Sequence, residues 1–212
     1  MKSIFLKHTL WIGAILLMTN CTEVETSTTS KQTNATSGQI ADNSKDSVAV
    51  VDLVRKMYQW YEKLPVQGEF EGKTNKTSDT MYSSLDIDLH QKRLQALETS
   101  DCFASEFIDN YKKIGQNIDQ ALKSGKTIWL VGDMSPFGDG ADPWCACQDR
   151  PDAFSNLLII KNMEINENKA SCTWTLDEQN PYQVRAVKEN GQWKIAYLQG
   201  FDFEQYLHQS AP

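Results

Sequence analysis

The stretch from Tyr182 to Gln199, YQVRAVKENGQWKIAYLQ, decides the fold. Asn190-Gly191 lies between two apolar-rich runs, and both positions of such a tight turn need positive φ, which Asn and Gly tolerate. The pattern predicts a hairpin of two strands, Tyr182 to Lys188 and Trp193 to Gln199, joined across Glu189 to Gln192. Two more β segments precede it, about Leu157 to Ile165 and Ala170 to Leu176. Together they make an antiparallel meander at the C-terminal end of the chain.

Upstream the period changes. Val50, Val54, Met57, Tyr58 and Tyr61 recur at three- and four-residue steps, opposite Asp52, Arg55, Lys56, Gln59 and Glu62. That predicts an amphipathic helix from a cap at Asp46-Ser47 to about Lys63, ended by Pro65. Gln67 to Ser84 reads as a long polar loop holding at most a short strand. A second helix covers about Leu89 to Glu98, and Thr99-Ser100-Asp101 reads as a break and a new cap. The third helix runs from about Cys102 to Lys123 with Phe103, Phe107, Tyr111, Ile114, Ile118 and Leu122 as its core stripe. Gly125 closes it. Ile128 to Val131 is a short apolar run, followed by chain broken by Gly and Pro to Pro151. Helices first and a meander afterwards indicate an α+β fold, with N-terminal helices packed on one face of a curved antiparallel sheet.

The other end of the chain carries an address. Lys2 and Lys7 precede an apolar run, Leu10 to Met18, that stops at Met18-Thr19-Asn20-Cys21. A positive start, a short hydrophobic stretch and then a cysteine form the layout of a bacterial lipoprotein signal, with Cys21 as the lipidation site. The run is shorter than the roughly 20 apolar residues that cross a bilayer. Residues 1–20 are therefore read as a signal peptide, 21–45 as a disordered Ser/Thr-rich tether and 46–212 as a single α+β domain. Several acyl chains on Cys21 would hold the protein stably at a membrane. Thr22, rather than Asp, after the cysteine fits a lipid-anchored place in the cell envelope, at the outer membrane and facing the periplasm.

Composition narrows the partners. The chain has 212 residues with 21 basic and 28 acidic side chains, a net charge of −7. Removing the leader takes away two lysines and no acid, and the balance becomes −9. Nucleic acid is disfavoured, because its binding rests on Lys and Arg neutralising phosphates. A basic envelope protein is favoured by the same charge.

Four cysteines remain beyond Cys21: Cys102, Cys145, Cys147 and Cys172. An even number in an oxidising compartment points to two disulfides. In an extended chain, residues i and i+2 stand near the distance limit for a bridge. The expected pairing therefore joins Cys145 and Cys147 each to Cys102 or Cys172. A Cys-x-Cys metal or redox site is the lesser alternative.

Gly132-Asp133 through Asp139-Gly140-Ala141-Asp142 lacks the spacing of an EF-hand loop and reads as an acidic surface loop. We assign no metal, cofactor or catalytic residue. Only His90 and His208 follow the leader, and no nucleophile-elbow, phosphate-loop or zinc-protease motif is present.

Tyr58-Gln59-Trp60-Tyr61 at the end of the first helix, Asp142-Pro143-Trp144 followed by Gln148-Asp149, and Gly191-Gln192-Trp193-Lys194-Ile195 resemble the domain of unknown function 3828 family of exported bacterial lipoproteins. The resemblance spans about Val48 to Tyr206, with Trp144 where the family more often has Phe. It implies a cystatin-like cone, as in nuclear transport factor 2, and no particular reaction. On that fold Asp142, Trp144, Gln148, Asp149, Tyr111 and Tyr182 are candidates for a pocket or loop site. The competing reading has the tyrosines filling the core with their hydroxyls at its edge. The function read from the sequence is a non-enzymatic binding or interaction module, in the manner of an inhibitor or immunity protein. The alternative is an enzyme or small-ligand carrier with a pocket inside the cone.

Overall fold

A computed structural model describes residues 36–65, 69–138, 140–176, 180–204 and 206. The leader, Cys21 and most of the tether lie outside the described residues, as do Asp139 and His208. Three helices, α1 (Thr36–Glu62), α2 (Ile87–Thr99) and α3 (Ser105–Lys123), precede a four-stranded sheet. Its strands are β3 (Ile159–Asn166), β4 (Lys169–Thr175), β5 (Tyr182–Glu189) and β6 (Gln192–Leu198), antiparallel in the order β3-β4-β5-β6. A two-stranded ladder, β1 (Gly72–Lys73) with β2 (Ser84–Leu85), stands between α1 and α2. The class is α+β. Among the described residues no helix is long and apolar enough to cross a membrane.

The hairpin forms where the sequence places it. Asn190 and Gly191 take φ of +52° and +79°, and Glu189 pairs with Gln192. Both β5 and β6 send buried side chains inward. Val184 faces Leu198 and Ala186 faces Ile195, three residues apart on β6 because one extra residue bulges the strand between them. Helices α1 and α3 both lie against β6. On α3, Phe107, Tyr111, Ile114, Ile118 and Leu122 are buried as the stripe requires.

Two helix starts differ from the sequence reading, each for a physical reason. Helix α1 begins at Thr36, so positions 36–45, which the sequence reading gave to the tether, are helical. Asp46 is no cap: its carboxylate accepts hydrogen bonds from Lys188 Nζ (2.8 Å) and Trp193 Nε1 (2.9 Å) on the hairpin. Those two donors hold its carboxyl below the usual carboxylate range. Freed from capping, it sits inside the helix and clamps α1 to the sheet.

Helix α3 starts at Ser105, not Cys102, because residues 102–104 are extended alongside β6. Ile195 donates its N–H to the Cys102 carbonyl and accepts from Ala104, each at 2.8 Å. This parallel bridge covers part of an edge that would otherwise be bare. The N–H and hydroxyl of Ser105 then donate to the Glu189 carboxylate, so the hairpin turn caps the helix.

β3 is the other edge, without a further strand beside it among the described residues, and it carries a bulge between Lys161 and Glu164, with Asn162 at φ +53°. After β6 a 3₁₀ turn (Gln199–Phe201) returns the chain to the core, and residues 203, 204 and 206 are helical. Gly200 lies so close to the Pro143 carbonyl that a Cβ there would overlap backbone atoms. Gly200→Ala should therefore lower stability by about 1–3 kcal/mol, read as a drop in the urea midpoint. Gly191→Ala has open space around it, so it meets only the strain of its positive φ and should lose less.

Candidate functional site

The chain segment Asp142-Pro143-Trp144 is the centre of the site, and the core is built around it. The Trp144 ring is fully buried, stacked on Tyr61 at 4.6 Å and edge-on to Phe201 at 4.8 Å. Burying an indole obliges its N–H to find an acceptor. Trp144 Nε1 donates to Glu69 Oε1 at 2.8 Å, Tyr111 donates its hydroxyl to Glu69 Oε2, and Arg93 Nη2 stands 3.4 Å from the same carboxylate. Burial pushes the Glu69 carboxyl up, against the downward pull of Arg93 and the two donors.

The backbone of the segment is held as firmly. Tyr58 donates to the Trp144 carbonyl and Tyr182 to the Pro143 carbonyl, both at 2.7 Å. The Tyr58 hydroxyl also accepts from Trp174 Nε1, and that of Tyr182 accepts from the Gly200 N–H. Burial drives the phenol pKa values of Tyr58, Tyr111 and Tyr182 upward, so they stay neutral donors. Asp142 accepts from Tyr61 Oη (2.9 Å) and from the Trp144 N–H (3.0 Å).

The cysteine pairing corrects the sequence reading. Cys145 and Cys147 are joined to each other, while Cys102 and Cys172 are buried free thiols. The chain here is a turn rather than extended. Cys145 and Ala146 both donate to the Asp142 carbonyl, Ala146 has φ +51°, and Asp142 donates to the Cys147 carbonyl. That geometry brings the two Cα atoms to 5.1 Å, inside the range a bridge needs. Cys172 lies in β4 opposite Val184, where burial pushes its thiol up to about 11. Cys102 is fixed beside β6.

Outside this core the loops leave a cleft of about 510 Å³. Its walls include Tyr61, Tyr82, Trp129 and Phe137; carboxylates come from Glu69, Glu71, Asp133 and Asp142, and a guanidinium from Arg150. Arg150 lies 4.6 Å from the centre of the Tyr61 ring and 5.5 Å from that of Phe154. One wall is a small antiparallel contact in which Tyr82 donates to the Trp129 carbonyl and Val131 to that of Thr80. The apolar run 128–131 that the sequence singled out is this wall, with Trp129 turned in and Ile128, Leu130 and Val131 exposed.

Of the six pocket candidates, only Asp142 lines the cleft. Trp144, Tyr111 and Tyr182 are core, each with its polar atom committed to a partner, and Gln148 and Asp149 are exposed outside the cleft. The sequence reading missed Glu69, Glu71, Tyr82 and Arg93. They sit in a loop without periodicity and on a helix face that looked merely polar. A Glu directly before a buried Phe70, in chain otherwise polar, was the one available signal.

His90 is a second anomaly of the interior. Its imidazole is buried, stacked on Tyr111 at 5.4 Å and near Phe70 at 5.7 Å, over Gly115. Neither ring nitrogen has a hydrogen-bond partner among the described residues. Burial lowers its pKa, opposed by the charge of Asp119.

Searches of family models, of curated proteins and of solved structures return no match to this chain.

Two measurements check this account. Glu69→Ala should lose about 3–5 kcal/mol of stability, because it leaves Arg93 and two donors buried without their acceptor. Glu69→Gln, which keeps an acceptor oxygen, should lose less. For His90 the folded pKa lies below the unfolded value of 6.5. Its contribution is therefore complete above that pH and declines as pH falls below it. The urea midpoint should drop between pH 7.5 and 5.5, and His90→Phe should flatten that drop.

Proposed function

We propose that this protein is a lipid-anchored, non-enzymatic binding module of the bacterial cell envelope, with the cone fold of the family it resembles, working in the manner of an inhibitor or immunity protein. The anchor is the lipidated Cys21, and the working surface is the half-open cleft above Trp144. The observation that carries this reading is the division between a committed interior and an uncommitted rim. Inside, the hydroxyls of Tyr58, Tyr111 and Tyr182 each donate to an internal acceptor. In the lining, Glu71 and Asp133 have no cationic partner among the described residues and Met134 is exposed, while the wall segments that carry Tyr82 and Trp129 also expose Met81, Leu130 and Val131. Apolar surface gathered beside a polar cleft is how association sites are built.

The alternative, an enzyme or carrier with its pocket inside the cone, calls on Tyr111 and Tyr182 as working groups. Both hydroxyls already have internal partners, which weighs against it.

A photo-crosslinking residue at Met134, in the full chain in its own host, tests the reading. An adduct of one defined mass should form from that position and none from Glu167 in the β3–β4 turn. The Cys21→Ser chain should lose labelled palmitate and leave the membrane fraction. Equal labelling from both positions, or none, would count against the cleft as the working surface.

A further inference from the structure

Resting on that binding reading, we infer that the cleft's occupant is a basic, amphipathic segment of another protein, with a Lys or Arg side chain seated in the cleft and apolar neighbours on its rim. The charge of the site sets the sign. Glu69 is offset by Arg93, which leaves the carboxylates of Glu71, Asp133 and Asp142 facing the single guanidinium of Arg150. Asp142 accepts two hydrogen bonds without a cation, and Arg150 lies against the rings of Tyr61 and Phe154 with its Nη1 buried and without a hydrogen-bond partner among the described residues. Its one positive charge stands against three carboxylates, so the formal charge of the lining is negative.

Aromatic walls add to that preference. Tyr82 and Trp129 lie 4.5 Å apart at an interplanar angle of 56°, so their faces and edges line one side. A cation against such faces gains from the ring quadrupole as well as from the carboxylates. A free small cation would use only the cleft. Met134 in the lining is exposed, and the wall segments that carry Tyr82 and Trp129 also expose Met81, Leu130 and Val131, which offers a second contact of apolar character. A protein segment that alternates basic and apolar residues satisfies both parts. A second copy of this chain does not, since a net charge of −7 brings like charge against the site.

The test uses the full chain, detergent-solubilised and labelled with 5-fluorotryptophan, with the Trp129 resonance assigned by Trp129→Phe. Three acetylated peptide amides are titrated: Leu-Lys-Leu, the neutral Leu-norleucine-Leu, and Leu-Glu-Leu. The lysine peptide should shift Trp129 at the lowest concentration, leave Trp174 unmoved, and bind more weakly as salt rises. The Glu71→Gln/Asp133→Asn pair, at side chains with no structural partner among the described residues, should weaken it about fivefold. Equal binding of the lysine and norleucine peptides overturns the charge assignment. If no peptide shifts Trp129 while crosslinking at Met134 persists, the basic-segment inference fails and the binding reading stands. If both are negative, both fall.

Discussion

The indole N–H of Trp144 has to find an acceptor in a place without water, and the Glu69 carboxylate that meets it organises the site. A carboxylate so deeply enclosed is itself unfavourable unless it is paired and hydrogen-bonded. Arg93 from α2, Tyr111 from α3 and Trp144 from the following loop converge on it, and so three segments distant in sequence are brought to one point. Through Trp144 the same point fixes Asp142 and Pro143, whose backbone then receives Tyr182 and Gly200. The loop that walls the cleft is in this sense part of the core.

That arrangement explains why the cleft has two characters. Its floor is made of side chains whose polar atoms are spent on one another, and it resists deformation as a packed interior does. Its outer wall draws on residues 80–82 and 128–134, which carry exposed apolar side chains.

The parts legible in the sequence were those governed by local periodicity or by turn chemistry. Asn190-Gly191 specified the hairpin because only a few residue types accept the left-handed turn, and the stripe from Phe107 to Leu122 specified α3 because one face alone is buried. The four strand positions emerged within two residues at each end. What the sequence left hidden depends on contacts across long separations. Asp46 looks like a cap until the hairpin supplies Lys188 and Trp193, and Cys102 looks helical until Ile195 supplies a ladder partner. The Cys145–Cys147 bridge needs the left-handed Ala146 and the fold-back onto Asp142, and neither has a periodic signature. Glu69 and Glu71 belong to the same class, since a lone acid in a polar loop gains its meaning only from what packs around it.

The bulge at Asn162 has a bearing on how the protein behaves among its own kind. Among the described residues no strand pairs with the outer side of β3, and an edge of eight residues is a template on which another chain's strand can add. The kink interrupts the row of free N–H and C=O groups halfway along β3, while the Cys102 to Ala104 segment shields part of the opposite edge. Strand addition from a second copy is thereby discouraged at both edges.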